Sequence, residues 1–101
     1  MVKLENILKK RVLILDGATG TNLLDKGLAP GESPSILNIR NPEAVYSLHK
    51  QYIKAGAQAI LTNTFTANPA NIPTSKLNRV ISAGVKIAKR AAKNRAFVLV
   101  T

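Results

Sequence analysis

The chain has 101 residues, 46% of them hydrophobic, and this composition favours one small globular domain over a disordered segment. The absence of Cys excludes a disulfide framework and a thiolate metal site within these residues. A formal net charge of +10 suits nucleic acid or anionic lipid as a partner, but it also arises from solvated helix faces. No apolar run approaches the roughly 20 residues that span a bilayer, so we expect a cytoplasmic protein without a membrane partner.

The first part of the chain predicts a short amphipathic helix over residues 3–10, followed by a strand over residues 12–15. The strand is a continuous apolar run without alternation, which is typical of a strand covered on both faces. Residues 17–40 contain several Gly, Pro and Ser and are expected to form mainly loops.

The central part of the chain predicts a helix and a second strand. Asn41 suits the N-cap, Pro42 the first helical position and Glu43 the positive end of the helix dipole. Gly56 is expected to end the helix, and a strand over residues 59–62 follows. The predicted apolar stripe of this helix consists of Val45, Leu48, Tyr52 and Ile53.

The last part of the chain predicts a helix over residues 77–94 and a third strand over residues 96–101. The predicted buried side of the helix consists of Leu77, Val80, Ile81, Val85, Ala88 and Ala92. The predicted solvated side consists of Lys76, Arg79, Lys86, Lys89, Arg90 and Lys93.

The order of these elements predicts an α/β fold, because strands separated by helices pair in parallel through crossover connections. Three parallel strands leave both sheet edges unpaired, whereas a complete eight-stranded α/β barrel takes about 250 residues. We therefore expect a partial (β/α)8 TIM barrel, consisting of roughly the first three parallel strands with their crossover helices.

Short polar residues follow the first two predicted strands, at the ends where parallel α/β folds collect their chemistry. Asp16, Gly17 and Ala18 follow the first strand, and a second polar cluster begins at Thr62. Glycine lets the backbone approach a ligand, its amides bind a carboxylate, and Asp16 accepts hydrogen bonds from an ammonium group. Both exits are therefore candidate walls of one pocket for an amino acid. The candidate residues at the second exit are Thr62, Asn63, Thr64 and Phe65.

A purely structural interpretation of these residues stays open. Asp-Gly is a common turn sequence, and Asn63 with its neighbouring threonines alternatively satisfies the last amides of the strand. His49 has no Cys and no second His in the sequence to share a metal, so a packing or helix-surface role is favoured over a ligand role.

Three stretches, "VLILDGATGTNLL", "NPEAVYSLHKQYIKAGAQAILTNTFTAN" and "VKIAKRAAK", together resemble the start of the homocysteine S-methyltransferase domain. That domain occurs in cobalamin-dependent methionine synthase and in betaine–homocysteine methyltransferase. The resemblance implies that residues 1–101 are the amino-terminal part of an α/β barrel that transfers a methyl group to the sulfur of homocysteine, giving methionine.

The resemblance also implies roles for the candidate site residues. Asp16 would contact the amino group of homocysteine, Gly17 and Ala18 would lie against the amino acid, and residues 62–65 would line the same mouth. The family activates homocysteine with zinc held by cysteine thiolates, and its methyl donor is methyltetrahydrofolate through methylcobalamin or another activated methyl compound. This chain has no Cys, so we expect neither a catalytic residue nor a metal ligand in it, and no methyl transfer by the chain alone.

Two other functions remain open from the sequence. The first is a small basic module that binds nucleic acid, although nucleic acid is the less favoured partner. The second is self-association, in which several copies pair their open strand edges.

Overall fold

A computed structural model describes Leu23, residues 26–29 and residues 31–100. The helix predicted over residues 3–10 and the strand predicted over residues 12–15 lie outside these described residues. Within them, no helix has the length and apolar character that a membrane span requires.

Residues 34–40 are helical, where the sequence predicts mainly loops. A short 3-10 helix, Pro34–Ile36, leads directly into the single-turn helix α1, Leu37–Arg40. The Ser33 side chain caps the first helix by accepting a hydrogen bond from the Ser35 amide at 3.2 Å. Ser-Pro therefore starts a helix at this point instead of continuing the loop.

An ion pair holds the loop before this helical segment. Arg40 donates to both carboxylate oxygens of Glu32, and the Ala29 amide donates to the same carboxylate at 2.7 Å. The Arg40 and Ala29 hydrogen bonds lower the pKa of Glu32 to about 2. The chain thus enters the helical segment with a fixed turn.

Helix α2, Pro42–Lys54, confirms the predicted start and stop signals. Asn41 is the N-cap and accepts a hydrogen bond from the Ala44 amide at 3.4 Å. At the other end, the Ala57 amide donates to Tyr52 O and the Gly56 amide to Ile53 O. Gly56 has a φ of +112°, so these bonds form the glycine-dependent helix end that the sequence predicts.

Helix α3, Thr74–Ala92, begins three residues before the predicted first residue and ends two residues before the predicted last one. The six predicted solvated cations are all exposed. The predicted buried side was partly wrong, because Leu77, Ile81 and Val85 are only half-buried whereas Ile87 and Ala91 are buried. The helix packs against both α2 and the sheet, and Ile87 faces a cluster that includes Leu48.

The strands β1, Ala59–Leu61, and β2, Phe97–Leu99, form a parallel pair. Ile60 lies opposite Val98 in the register, and α3 connects the two strands. Both strands are shorter than predicted, but the parallel pairing confirms the α/β interpretation for this part of the chain.

The hydrophobic core lies between the helices and along one face of the sheet. Ile60 is fully buried and packs in a cluster with Ala88 and Ala92 of α3. Two further clusters lie between α2 and α3 and around Ile72, and their buried members are Leu23, Leu37, Val45, Leu48, Ile87, Ile36, Ile72 and Val80. The core therefore fixes the position of β1, at whose carboxyl end the candidate site begins.

Candidate functional site

The three residues after β1 form a tight, buried turn. Thr62, Asn63 and Thr64 are 3%, 6% and 5% exposed. The Thr62 amide donates to Leu99 O at 2.9 Å, which extends the pairing with β2, and the Thr64 amide donates back to Thr62 O at 2.9 Å. The two threonine hydroxyls lie 2.7 Å apart and share a hydrogen bond. We call residues 62–64 the exit turn.

A pair of asparagine side chains fastens the exit turn to the helices. Asn38 of α1 donates through Nδ2 to Asn63 O at 2.8 Å and to Val80 O of α3 at 3.0 Å. Asn63 donates through Nδ2 to Asn38 Oδ1 and to Pro34 O, both at 3.0 Å. Both amides are nearly inaccessible to solvent, so each of these bonds forms inside the protein, where an unpaired amide is costly.

The residue after the exit turn and the residue after β2 are both exposed. Phe65 is 85% exposed, and Val100, which follows β2, is 64% exposed. Because β1 and β2 are parallel, their carboxyl ends lie at the same end of the sheet. This end of the sheet therefore combines a buried polar turn with exposed apolar side chains.

A cluster of hydroxyl groups joins the 3-10 helix to the same exit. Thr66 Oγ1 makes hydrogen bonds with the hydroxyls of Ser33 and, at 2.9 Å, of Ser35. Ser33 also donates to Thr66 O at 3.3 Å. The predicted site residues do not include Asn38 or these serines. The available signal was the presence of polar residues beside apolar ones in the stretch "SPSILNI".

Of the seven predicted site residues, the structure describes four. Thr62, Asn63, Thr64 and Phe65 are consecutive and lie at the carboxyl end of β1. The other three, Asp16, Gly17 and Ala18, lie outside the described residues, so their proximity to the exit turn stays a prediction.

The side chains that the structure describes do not provide a metal site. His49 is fully buried, neither of its ring nitrogens has a hydrogen-bond partner within the described part of the chain, and burial lowers its pKa to about 4. Of the two roles that the sequence left open for His49, burial identifies packing and not a helix-surface position. The described residues contain no group of three His, Asp or Glu that could hold a metal, and the sequence has no Cys.

Two cavities lie away from the exit turn. One of about 610 Å³ is bordered by Lys50 and Lys54 at the end of α2 and by Arg95 just before β2, at the amino ends of the strands. The other, of about 540 Å³, lies beside the start of α2 and includes Asn41 and Glu43 in its wall. Neither cavity includes residues 62–65 in its described lining.

Comparisons with known proteins agree on one family. A family model described as homocysteine S-methyltransferase matches residues 13–101. The chain is 33% identical over 97 residues to methionine synthase from Mycobacterium tuberculosis, an alignment that covers 86% of this chain and 8% of that protein. It is 32% identical over 90 residues to homocysteine S-methyltransferase from Escherichia coli, covering 82% of this chain and 29% of that enzyme.

A solved structure gives the same result. The crystal structure of the homocysteine methyltransferase MmuM from Escherichia coli, in its metallated form, matches with a TM-score of 0.72 and 27% sequence identity. The match covers 97% of this chain and 39% of that one. The chain thus spans well under half the length of the relatives it matches.

Proposed function

We propose that this chain, which belongs to the homocysteine S-methyltransferase family, supplies one wall of a homocysteine pocket in the amino-terminal part of a (β/α)8 barrel. In the intact enzyme, a methyl group moves to the homocysteine sulfur and methionine forms. The observation that carries the proposal is the buried polar turn at the carboxyl end of β1, within the segment that the family match covers.

The barrel assignment rests on the parallel strands. The pair β1 and β2 with α3 between them is one strand–helix–strand unit of such a barrel, and residues 12–15 would supply the strand before it. The helices cover one face of this sheet, as they do in an α/β barrel.

Each candidate residue has a role that follows from its chemistry. The Asp16 carboxylate would accept hydrogen bonds from the ammonium group of homocysteine, and the turn at Gly17 and Ala18 would bring backbone amides close to the amino acid. The exit turn would supply the opposite wall, and the exposed ring of Phe65 offers an apolar surface at the mouth.

The chain supplies binding groups but not the activation of sulfur. Its only His is buried and it has no Cys, so no side chain described here fits the zinc that activates the thiol in the family. We expect the isolated chain to bind no stoichiometric zinc and to form no methionine when given homocysteine and a methyl donor.

The proposal is tested by titrating the isotopically labelled chain with L-homocysteine under reducing conditions and recording NMR signals. We expect shifts at residues 62–65 and 16–18, and much smaller shifts with 4-mercaptobutyrate, which lacks the amino group. Asp16→Asn should remove this discrimination between the two thiols, because the variant has no charge to pair with the ammonium group.

Three results would count against the proposal. Shifts located only at the amino ends of the strands would place the ligand elsewhere, and equal shifts with both thiols would remove the role of Asp16. Methionine formation by the chain with bound zinc would refute the expectation that the chain holds only part of the active site. Loss of signal on adding RNA would instead favour a nucleic-acid-binding module, for which the comparisons give no support.

The remaining expectations about partners and location are proposals of the same kind. Self-association through the open sheet edges would appear as a dimer or larger mass in light scattering. Cobalamin or methyltetrahydrofolate as the methyl source follows only from the family resemblance, and a cytoplasmic location stays an expectation from the sequence.

A further inference from the structure

We infer that Asn38 is a positioning residue for the exit turn, holding the hydroxyls of Thr62 and Thr64 in one arrangement at the carboxyl end of β1. The inference deepens the proposed function, because the exit turn is the proposed wall of the homocysteine pocket. The hydrogen bonds of the Asn38 side-chain amide go to the exit turn and to α3, so it acts through the turn.

The first reason is that the Asn38 amide joins three separate elements. It lies on α1, donates to the backbone carbonyl at the centre of the exit turn, and donates to the carbonyl of Val80 on α3. Its oxygen accepts from the Asn63 side chain. Hydrogen bonds from one side chain to both a turn and a neighbouring helix remove the freedom of that turn to tilt relative to the helix.

The second reason is that Asn38 holds the peptide at the centre of the exit turn. The backbone bonds of Thr62 to Leu99 O and of Ala67 to Thr64 O hold the two ends of the exit turn. Between them, the carbonyl of Asn63 accepts a hydrogen bond from Asn38 Nδ2 at 2.8 Å. Rotation of that peptide would separate the threonine hydroxyls, which now lie 2.7 Å apart.

The third reason is a glycine in the interior of α3. Gly84 is buried, and a Cβ at this position would lie 2.6 Å from Asn38 Nδ2 and 3.0 Å from Thr64 Cγ2. Glycine is unfavourable inside a helix, so its presence requires a packing reason. The Asn38 amide and the exit turn supply that reason, because both approach the helix backbone too closely for a side chain.

The test uses the full chain with labelled Asn and Thr side chains. In the wild-type protein, the side-chain amide protons of Asn38 should exchange with solvent at least ~100-fold more slowly than those of Asn78, an exposed asparagine on α3. Equal exchange at the two residues would overturn the inference, and this measurement needs no variant to fold.

Two substitutions then test the coupling. Asn38→Ala should shift the signals of Thr62, Asn63 and Thr64, and Gly84→Ala should produce the same shifts because its Cβ displaces the Asn38 amide. In the double variant, the space left by the Asn38 amide accommodates the new methyl group, but its contact with Thr64 Cγ2 at 3.0 Å remains, so the two effects are compared at the Asn63 signals. Gly84→Ala should therefore add little to the effect of Asn38→Ala, whereas simple addition of the two effects would contradict the inference.

Ser35→Ala is the matched control. Ser35 is fully buried on the same helical segment, but its hydroxyl bonds to Thr66 and not to the exit turn. The control should shift the Thr66 signal and leave the signals of Thr62 and Thr64 in place. Equal shifts at Thr62 and Thr64 in both variants would show a general loosening of the fold and would overturn a specific role for Asn38.

A measurement of homocysteine binding distinguishes failure of this inference from failure of the proposed function. If the wild-type chain binds L-homocysteine, Asn38→Ala should raise its Kd about 10-fold, which is ~1.4 kcal/mol, and Ser35→Ala should leave it within about 2-fold. Equal Kd values for Asn38→Ala and wild type would overturn the inference. Absence of wild-type binding would count against the proposed function alone, because the exchange and coupling measurements still decide the role of Asn38.

Discussion

Replacing His49 is expected to remove most of the acid sensitivity of this fold between pH 6.5 and pH 4. His49 lies in α2 with no exposed surface, and neither of its ring nitrogens has a partner within the described residues. Burial disfavours the charged imidazolium and lowers the pKa of His49 from 6.5 to about 4. The folded chain therefore holds this side chain neutral over a pH range in which the unfolded chain protonates it.

The sign of the effect follows from proton binding. Between pH 6.5 and pH 4 the unfolded state binds more protons at His49 than the folded state, so the free energy of unfolding falls as the pH falls. The stability associated with a neutral His49 is fully present above pH 6.5 and is lost by about pH 4. The pKa of His49 is 6.5 in the unfolded chain and about 4 in the folded chain. At 1.36 kcal/mol per pKa unit, this difference lowers the free energy of unfolding by ~3 kcal/mol. For a domain of this size, that is a large part of the total stability.

Two substitutions separate titration from desolvation. His49→Gln removes the titrating group but keeps a buried polar side chain, so the slope between pH 6.5 and pH 4 should disappear without a gain at pH 7.5. His49→Leu also removes the unpaired nitrogens, and its free energy of unfolding at pH 7.5 should exceed that of wild type by ~1 kcal/mol.

The assay is urea unfolding followed by circular dichroism at several pH values from 7.5 to 3.5. Glu32, whose pKa is lowered to about 2, is present in all three proteins and loses its contribution only below its ordinary value of 4.5. A change common to all three proteins below pH 4.5 is therefore expected. The reasoning fails if both variants keep the wild-type slope between pH 6.5 and pH 5, or if NMR titration of folded His49 gives a midpoint near 6.5.

Two further substitutions test the helix ends and the contact between α2 and α3. Gly56→Ala should lower the free energy of unfolding by roughly 1–2 kcal/mol, because its φ of +112° is strained for any residue with a Cβ, although no described residue other than its chain neighbours has an atom within 4 Å of the added methyl group. An unchanged urea midpoint would show that α2 can end without the left-handed residue. Arg90→Ala should cost about 0.5–1 kcal/mol, since the guanidinium lies 4.4 Å from the centre of the Tyr46 ring and 3.3 Å from a Glu43 oxygen. Lys89→Ala is the control, and a loss of equal size in that exposed neighbour would attribute the effect to helix charge and not to the contact.

The sequence predicts where the exit turn lies but not the hydrogen bonds that hold it. Residues 62–65 were identified because polar residues after a buried strand stand at the functional edge of a parallel sheet, and the structure places them at the end of β1. Their internal roles were not visible from the sequence. Asn63 has both donors engaged, with Asn38 and Pro34, which lie 25 and 29 residues earlier in the chain.

The amphipathic pattern of α3 shows a second limit. A single apolar stripe correctly predicted Val80 and Ala88 as buried, but it also predicted Ile81 and Val85 and missed Ile87. The reason is that α3 packs against both a helix and a sheet, so its buried surface is wider than one stripe and its centre is displaced.

The sequence by itself determined the signals that act within a few residues: the Asn41 cap, the Gly56 helix end and the alternation of helix and strand that requires parallel pairing. The two helix ends depend on local backbone geometry, and the order of helices and strands is encoded in short sequence patterns, so local residue types are sufficient to predict both. Only the tertiary structure decided that His49 is buried without a partner and that Asn38 reaches the exit turn. It likewise decided that Gly84 must lack a side chain. These features depend on how elements distant in the chain approach one another, and that distance is set by packing of the whole core.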